Sequence, residues 1–351
     1  MTMNKELQSS QTRHGFFWWV GRILLGLVAL LLLVLAIALV AGTFAKSNLK
    51  AQYPPPGVMV DVGGYRLHIF CEGSGSPTVI MESGLGDSSL IWALVRPESV
   101  KTTRTCVYDR AGFGWSDISP KPRTVDVIVE ELHTLLVNGG ITGPYVLVGH
   151  SIGGAYVRLY AHNYPDSVVG MVLVDSSHEE QSARLPAAIV QLGQQGTEEQ
   201  QRELALYKPL ARMGVLALAH NWLPANPMLP LATQATEQAL IADPNYLDTL
   251  FAEQDSAESN LAEVAAAQIT TVGNIPLIVL SAGQHMLPGG AIPPELVEEM
   301  AQVWQQLQAE LAMRSPQGRQ VAVAESGHYI HLEQPQVVID AIDQVVAAVR
   351  Q

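Results

Sequence analysis

The sequence is poor in cysteine, in basic residues and in charge altogether. Two Cys in 351 residues exclude a disulfide-dense scaffold. Lys and Arg number 20 against 33 Asp and Glu, a formal net charge of −13. No basic excess exists to displace counterions from phosphate, so nucleic acid is not an expected partner. An acidic balance is also the ordinary state of a soluble domain and names no partner of its own. Internal repeats and long charge blocks are absent. So are a phosphate loop or dinucleotide fingerprint in the right strand-to-helix context, and a metal-binding constellation. Neither a cofactor nor a metal is expected. What is present is apolar: 48% of residues against 15% charged, too hydrophobic for a disordered chain. The length suits one sizeable domain with an insertion, or two small domains.

The longest apolar run comes first. Residues 23–41 read ILLGLVALLLLVLAIALVA, with no charge and no strongly polar side chain. At ~1.5 Å per residue this stretch nearly matches a ~30 Å hydrocarbon core. Phe16, Phe17, Trp18 and Trp19 precede it, where amphipathic rings favour the headgroup layer. The reading is an uncleaved single-pass anchor over residues 16–45, after a tail over 1–15. A cleaved signal peptide is the competing reading, with Thr43-Phe44-Ala45 as a weak cleavage site; its apolar region is usually only ~7–15 residues. Lys5, Arg13 and Arg22 lie on one side of the run, Lys46 and Lys50 on the other. The balance leans to a cytoplasmic N-terminus, with the rest of the chain outside the cytoplasm. Residues 46–57 read as a linker, ending in the stiff Tyr53-Pro54-Pro55-Pro56-Gly57.

From Val58 the pattern alternates strand with helix. Short apolar runs cover Tyr65 to Cys71, Thr78 to Glu82, Thr105 to Tyr108, Tyr145 to Val148, Val168 to Val174, Ile275 to Ser281 and Gln320 to Ala324. Helical patterns occupy 124–138, 152–163 and 335–350. Near-continuous Val, Ile and Leu in the runs marks strands buried on both faces, hence a mostly parallel sheet between helix layers. One stretch interrupts the alternation. Residues 181–270 are rich in Gln, Ala, Leu and Glu, with ten acids against four bases, and are markedly apolar from Met213 to Leu231. The organisation is a core over 58–180 and 273–351, with a helical cap or lid over 181–272. Such an insertion packs on the core, covers a pocket, or does both.

Gly149-His150-Ser151-Ile152-Gly153 fits G-x-S-x-G. The string alone is weak, but Tyr145 to Val148 precedes it as a strand and Ala155 to Tyr160 follows as a helix. That context is a nucleophile elbow. Gly149 and Gly153 allow the tight turn, and the serine is held exposed at the sheet edge. A serine hydroxyl becomes nucleophilic only with a base in reach and an acid to orient that base. The alternative role for Ser151 is a helix N-cap.

These residues resemble the α/β-hydrolase family, of the lipase and esterase kind. The likeness runs from about Val58 to the C-terminus and is weakest across the insertion. It also rests on Tyr108-Asp109-Arg110-Ala111-Gly112-Phe113-Gly114-Trp115-Ser116, similar to the segment after the fourth strand, and on Ser326-Gly327-His328 after the last. The resemblance implies an eight-stranded, mostly parallel sheet and makes His328 the base, with His331 as its rival. His150 is expected to point away from the chemistry. The loop from Ala282 to Gly290 holds no carboxylate where many members carry the acid, so Asp175, at the end of the preceding strand, is the expected acid. The chain order Ser151, Asp175, His328 is preserved. The oxyanion hole is expected from the backbone amides of Ile152 and Leu85.

In this fold the second and fourth strands are antiparallel neighbours. That sets Cys71 beside Cys106 for a cross-strand disulfide if the domain lies outside the cytoplasm; two buried thiols are the alternative. The implied activity is hydrolysis of a carboxylic ester through an acyl-enzyme, on a neutral or apolar small-molecule substrate. Amide hydrolysis and perhydrolysis use the same triad. A catalytically silent receptor or scaffold on the same fold is the reading from another class.

Overall fold

The computed structural model describes residues 15–284 and 292–351. Lys5, Arg13 and the stretch from His285 to Gly290, used above for orientation and for the missing carboxylate, lie outside them. Helix α1 (Phe16–Gln52) leads into eight strands: β1 (Val58–Asp61), β2 (Arg66–Glu72), β3 (Thr78–Glu82), β4 (Thr105–Tyr108), β5 (Tyr145–His150), β6 (Val168–Val174), β7 (Leu277–Ala282) and β8 (Gly318–Val323). They form one sheet in the order β1-β2-β4-β3-β5-β6-β7-β8. β2 runs antiparallel to both β1 and β4, and every other pair is parallel. The expected strands are all present, their ends shifted by up to two residues. β1 is an addition: only four residues long, half-exposed and at the sheet edge, it carries too weak a pattern to be read in advance.

Both faces of the sheet are covered. The strand period of two sends Tyr145 and Leu147 of β5 into one core, and Val146 and Val148 into the other. Helices α2 (Arg96–Ser99), α3 (Val125–Asn138) and α4 (Ile152–Asn163) intervene between strands of the first half. After β6 the insertion is helical, as expected: α5 (Gln181–Arg184), α6 (Ala187–Ala205), α7 (Lys208–Arg212), α8 (Val215–Leu218), α9 (Leu231–Ile241) and α10 (Pro244–Ala266). Helices α11 (Pro294–Ala312), α12 (Ile330–Glu333) and α13 (Pro335–Val349) complete the chain. Helix α10 fastens the insertion to the core. Its Asn260 is fully buried, accepts from the Val125 amide, and donates to the Arg123 carbonyl and the Tyr156 hydroxyl.

The boundary of the first segment differs from expectation. Residues 46–52 continue α1 instead of starting a linker, and the helix ends at Tyr53 before three prolines that cannot extend it. Tertiary contact stabilises the extra turns. Leu49 is buried with Ala211, Leu216, Ala217, Ala239 and Ala242 of the insertion. At Gly42 an added Cβ would stand 2.1 Å from the Met213 carbonyl oxygen and 2.7 Å from the Gly214 Cα, so only glycine permits that backbone approach. The rest of α1 is long and apolar enough to cross a membrane and is exposed along that length.

Cys71 and Cys106 are direct partners in the β2–β4 register and are joined as a disulfide. At a sequence separation of 35, chain-entropy arguments give ~3–4 kcal/mol of stabilisation through the unfolded state. Denatured but unreduced protein should therefore take up no iodoacetamide and reduced protein two adducts, and a Cys71→Ser/Cys106→Ser variant should unfold at lower urea. Two adducts without reduction would return the pair to buried thiols.

Candidate active site

The parallel strands deliver their C-terminal ends to one edge, and the sequence-designated residues meet there. Ser151 follows β5 directly and opens α4. Its φ of 53° and ψ of −127° lie where non-glycine residues rarely sit, the signature of a turn held in place by its surroundings. Those surroundings are close. A Cβ on Gly149 would meet the Gly154 Cα at 2.6 Å, and one on Gly153 would meet the Ser83 carbonyl oxygen at 2.4 Å. Ser151 makes no side-chain capping bond to α4, so the N-cap role is not the one it fills.

Asp175 follows β6 and also has positive φ, 42°. Its side chain is 4% exposed. One carboxylate oxygen accepts from the Ala282 amide at 2.9 Å and from Trp304 Nε1 at 2.8 Å; the other lies 2.6 Å from His328 Nδ1. The backbone of β7 and an indole from α11 aim the carboxylate at the imidazole. With Nδ1 held by Asp175, Nε2 is the remaining ring nitrogen of His328. The imidazole is 43% exposed. Burial pulls its pKa down, but the hydrogen bond and charge of Asp175, with the charges of Asp87 and Glu333, outweigh burial and leave it above the ordinary histidine value.

His331 does not compete. It is fully buried, 4.7 Å ring to ring from Trp92, and neither ring nitrogen has a partner among the described residues. Burial first, then the charge of His328, pushes its pKa down to about 3. His150 corrects an expectation. β5 runs through it, so its side chain leaves the sheet on the face opposite Gly149 and enters the site instead of pointing away. It is buried, its Nε2 lies 3.1 Å from the His328 carbonyl oxygen, and its Nδ1 lies 3.8 Å from an Asp87 carboxylate oxygen. Burial holds His150 well below the ordinary pKa, so it is a neutral ring that donates to the loop carrying His328. Asp87, which sequence reasoning left unassigned, is pushed up to about 7 by burial, against the opposing charges of Arg110 and His328.

The Leu85 and Ile152 amides lie on facing segments. Ile152 heads α4, where first-turn amides have no intrahelical acceptor. The Gly153–Ser83 approach brings the loop after β3 against that helix start. Arg110 fastens the loop from behind. It is 2% exposed and donates to the Ser83 and Gly84 carbonyls, to Glu82 and to both carboxylate oxygens of Glu253 in α10. Glu82 also accepts from Tyr108, and Glu253 from the Gly86 amide. Asp109 folds the next turn, holding His68 Nδ1 at 2.8 Å and the Ser89 amide at 2.6 Å. Among the described residues no group of three His, Cys, Asp or Glu side chains is arranged to hold a metal ion.

A doubly covered, mostly parallel sheet, a strained serine after its fifth strand and a carboxylate-held histidine after its eighth define the class of α/β-hydrolase-fold proteins. The chain belongs to the alpha/beta hydrolase family, which it matches over residues 79–341. The Bacillus subtilis protein YbdG is 30% identical over 161 residues, 45% of this chain and 50% of its own length. YqjL of the same organism is 26% identical over 279 residues, 79% of this chain and 86% of its own. Across YbdG and four further curated relatives the match spans 15% to 50% of their length. Among solved structures, a putative acyltransferase from Salmonella enterica superposes with a TM-score of 0.63 at 17% identity, over 85% of this chain and 97% of that one.

Removing Arg110 would leave two buried carboxylates unpaired. Arg110→Met should therefore destabilise the domain by about 3–5 kcal/mol, read from urea denaturation. A loss below about 1 kcal/mol would show that the cluster does not hold the loop as described.

Proposed function

We propose that the protein is a membrane-anchored serine hydrolase that cleaves a carboxylic ester through an acyl-enzyme. The observation that carries this reading is the His328–Asp175 contact at 2.6 Å beside the strained Ser151. His328 Nε2 takes the Ser151 proton as Oγ attacks the carbonyl carbon. Asp175 stabilises the imidazolium that results. The Ile152 and Leu85 amides receive the oxyanion, a donor of this kind being worth ~10²–10³ in turnover. The imidazolium then protonates the leaving alcohol. Water, activated by the same histidine, attacks the acyl-enzyme and releases the acid. Relatives with an aspartate nucleophile, such as epoxide hydrolases, act through a carboxylate where this chain has Ser151.

Anchoring rests on the apolar stretch of α1 and on its docking to the insertion through Gly42 and Leu49, which ties the helix to the folded domain. The Cys71–Cys106 disulfide supports a domain outside the cytoplasm, where such bonds persist. The substrate is a neutral or apolar small molecule.

With p-nitrophenyl acetate, Ser151→Ala and His328→Ala should each lower kcat/KM by at least ~10³, and Ser151→Ala should abolish fluorophosphonate labelling. Wild type that neither hydrolyses the ester nor takes the label would favour the silent scaffold. The neutral imidazole is the active form, so kcat/KM should rise with pH through an ionisation above the ordinary histidine value of ~6.5. Asp175→Asn removes the carboxylate that contributes most to raising that pKa and should shift the acidic limb to lower pH while cutting the plateau. An unshifted limb with an undiminished plateau would move the acid elsewhere.

A further inference from the structure

A cavity lined by described residues lies away from Ser151 and His328. It has a volume of about 690 Å³, within the size range of ligand pockets, and its wall is built by four parts of the chain that the esterase mechanism does not use. The end of α1 contributes Lys46, Leu49 and Tyr53, the β1–β2 hairpin contributes Arg66, the loop after β4 contributes Trp115, and the insertion contributes Leu240 and Tyr246. A smaller chamber of about 60 Å³ shares Gly114, Leu240 and Tyr246 with it and ends on Gly86 and Asp87. Asp87 stands two residues after the proposed oxyanion donor Leu85, and its carboxylate lies 3.8 Å from His150, the neighbour of Ser151. The two chambers thus form a series leading from α1 towards the proposed oxyanion loop.

With α1 as the proposed anchor, the outer end of that series stands at membrane level. The apolar run of α1 closes at Ala41, and the first cavity-lining residue is Lys46. Five residues of helix advance ~7.5 Å, about the depth of one headgroup layer. The docking of Leu49 and Gly42 on the insertion fixes the cavity at that height. The same side of the insertion exposes apolar surface: Leu218, at the end of the helix packed on α1, is 53% exposed and Trp222 90%. Indole rings favour the headgroup region. Two of the three cations at the cavity wall are paired, Lys50 with Asp243 at 3.7 Å and Arg66 with Asp117 at 3.0 Å, while Lys46 donates to the Arg212 carbonyl at 3.4 Å. The wall therefore offers apolar surface with a polar rim, suited to an amphiphile.

We propose that this cavity holds the alkyl chain of a long-chain ester drawn from the bilayer surface beside α1, and that the substrate reaches Ser151 past Leu240 and Tyr246. The proposal rests on the ester-hydrolase reading for its chemistry but on the cavity and its height for its location. The binding test uses full-length Ser151→Ala protein in phosphatidylcholine nanodiscs with a hexadecyl ether carrying a terminal diazirine. After photolysis, adducts should map to peptides bearing Leu240 and Tyr246, and an added Leu240→Trp should reduce them at least fivefold. Adducts confined to residues 23–41, or insensitive to Leu240→Trp, would overturn the proposal. The kinetic test compares kcat/KM for p-nitrophenyl palmitate in the same discs with that for p-nitrophenyl acetate in buffer. Leu240→Trp should lower the palmitate-to-acetate ratio at least tenfold; an unchanged ratio would overturn the proposal. If wild type hydrolyses neither ester, the esterase reading fails, and the photolabelling still decides what the cavity binds.

Discussion

One buried guanidinium ties the sheet, the loop after β3 and the insertion together. Arg110 has five N–H donors, and five hydrogen bonds use them: two to backbone carbonyls of the loop, one to Glu82 of β3 and two to Glu253 of α10. Two carboxylates face one cation, and burial alone would raise the pKa of Glu82. The Tyr108 hydroxyl and the Gly86 amide supply further donors. A buried ion cluster of this kind is weak evidence for net stability, because desolvation offsets much of the Coulomb gain. Its consequence is positional. The Ser83–Leu85 backbone is held from behind, so its amides can face forward, and the insertion cannot lift from the loop without baring charge.

The elbow depends on that support. Ser151 and Asp175 both occupy positive φ at the ends of adjacent parallel strands. Strain of that sort costs ~1–3 kcal/mol per residue and persists only where neighbours over-determine it. Here the neighbours are backbone: Gly153 against Ser83, Gly149 against Gly154, and the Ser177 amide donating to the Ser151 carbonyl at 2.9 Å. Asp175 and His328 come from segments 153 residues apart, joined only because β6, β7 and β8 lie side by side. Trp304 reaches the same carboxylate from α11, so a helix that only flanks the sheet takes part in orienting the histidine.

The insertion faces two ways. Through Glu253 and Asn260 it belongs to the core; through Leu216, Ala217 and Ala239 it belongs to the end of α1. Those two attachments leave the 690 Å³ cavity between them. In the proposed reading, this architecture couples the height of the domain above a bilayer to the route by which a ligand approaches the strand ends.

Strand and helix positions were readable because buried parallel strands are continuous in Val, Ile and Leu, and because Gly and Pro punctuate them. Ser151, Gly149 and Gly153 were readable for a similar reason: the turn that holds them is local. His328 and Asp175 were reached through resemblance, since no local rule links residues so far apart. The neutral His150, the Asp87 carboxylate beside it, the Trp304 donor and the Glu253 partner of Arg110 carry no signal in their own neighbourhoods; each is an ordinary residue until packing removes water from it. The helical course of residues 46–52 was missed because polar residues next to prolines read as linker, whereas burial of Leu49 against the insertion makes helix the better state. The sequence by itself determined the elements and the elbow, because backbone geometry and the burial period act over a few residues. Only tertiary structure decided which acid meets the histidine, what holds the loop after β3 and where the cavity opens, because those depend on strand order and on desolvation by segments distant in the chain.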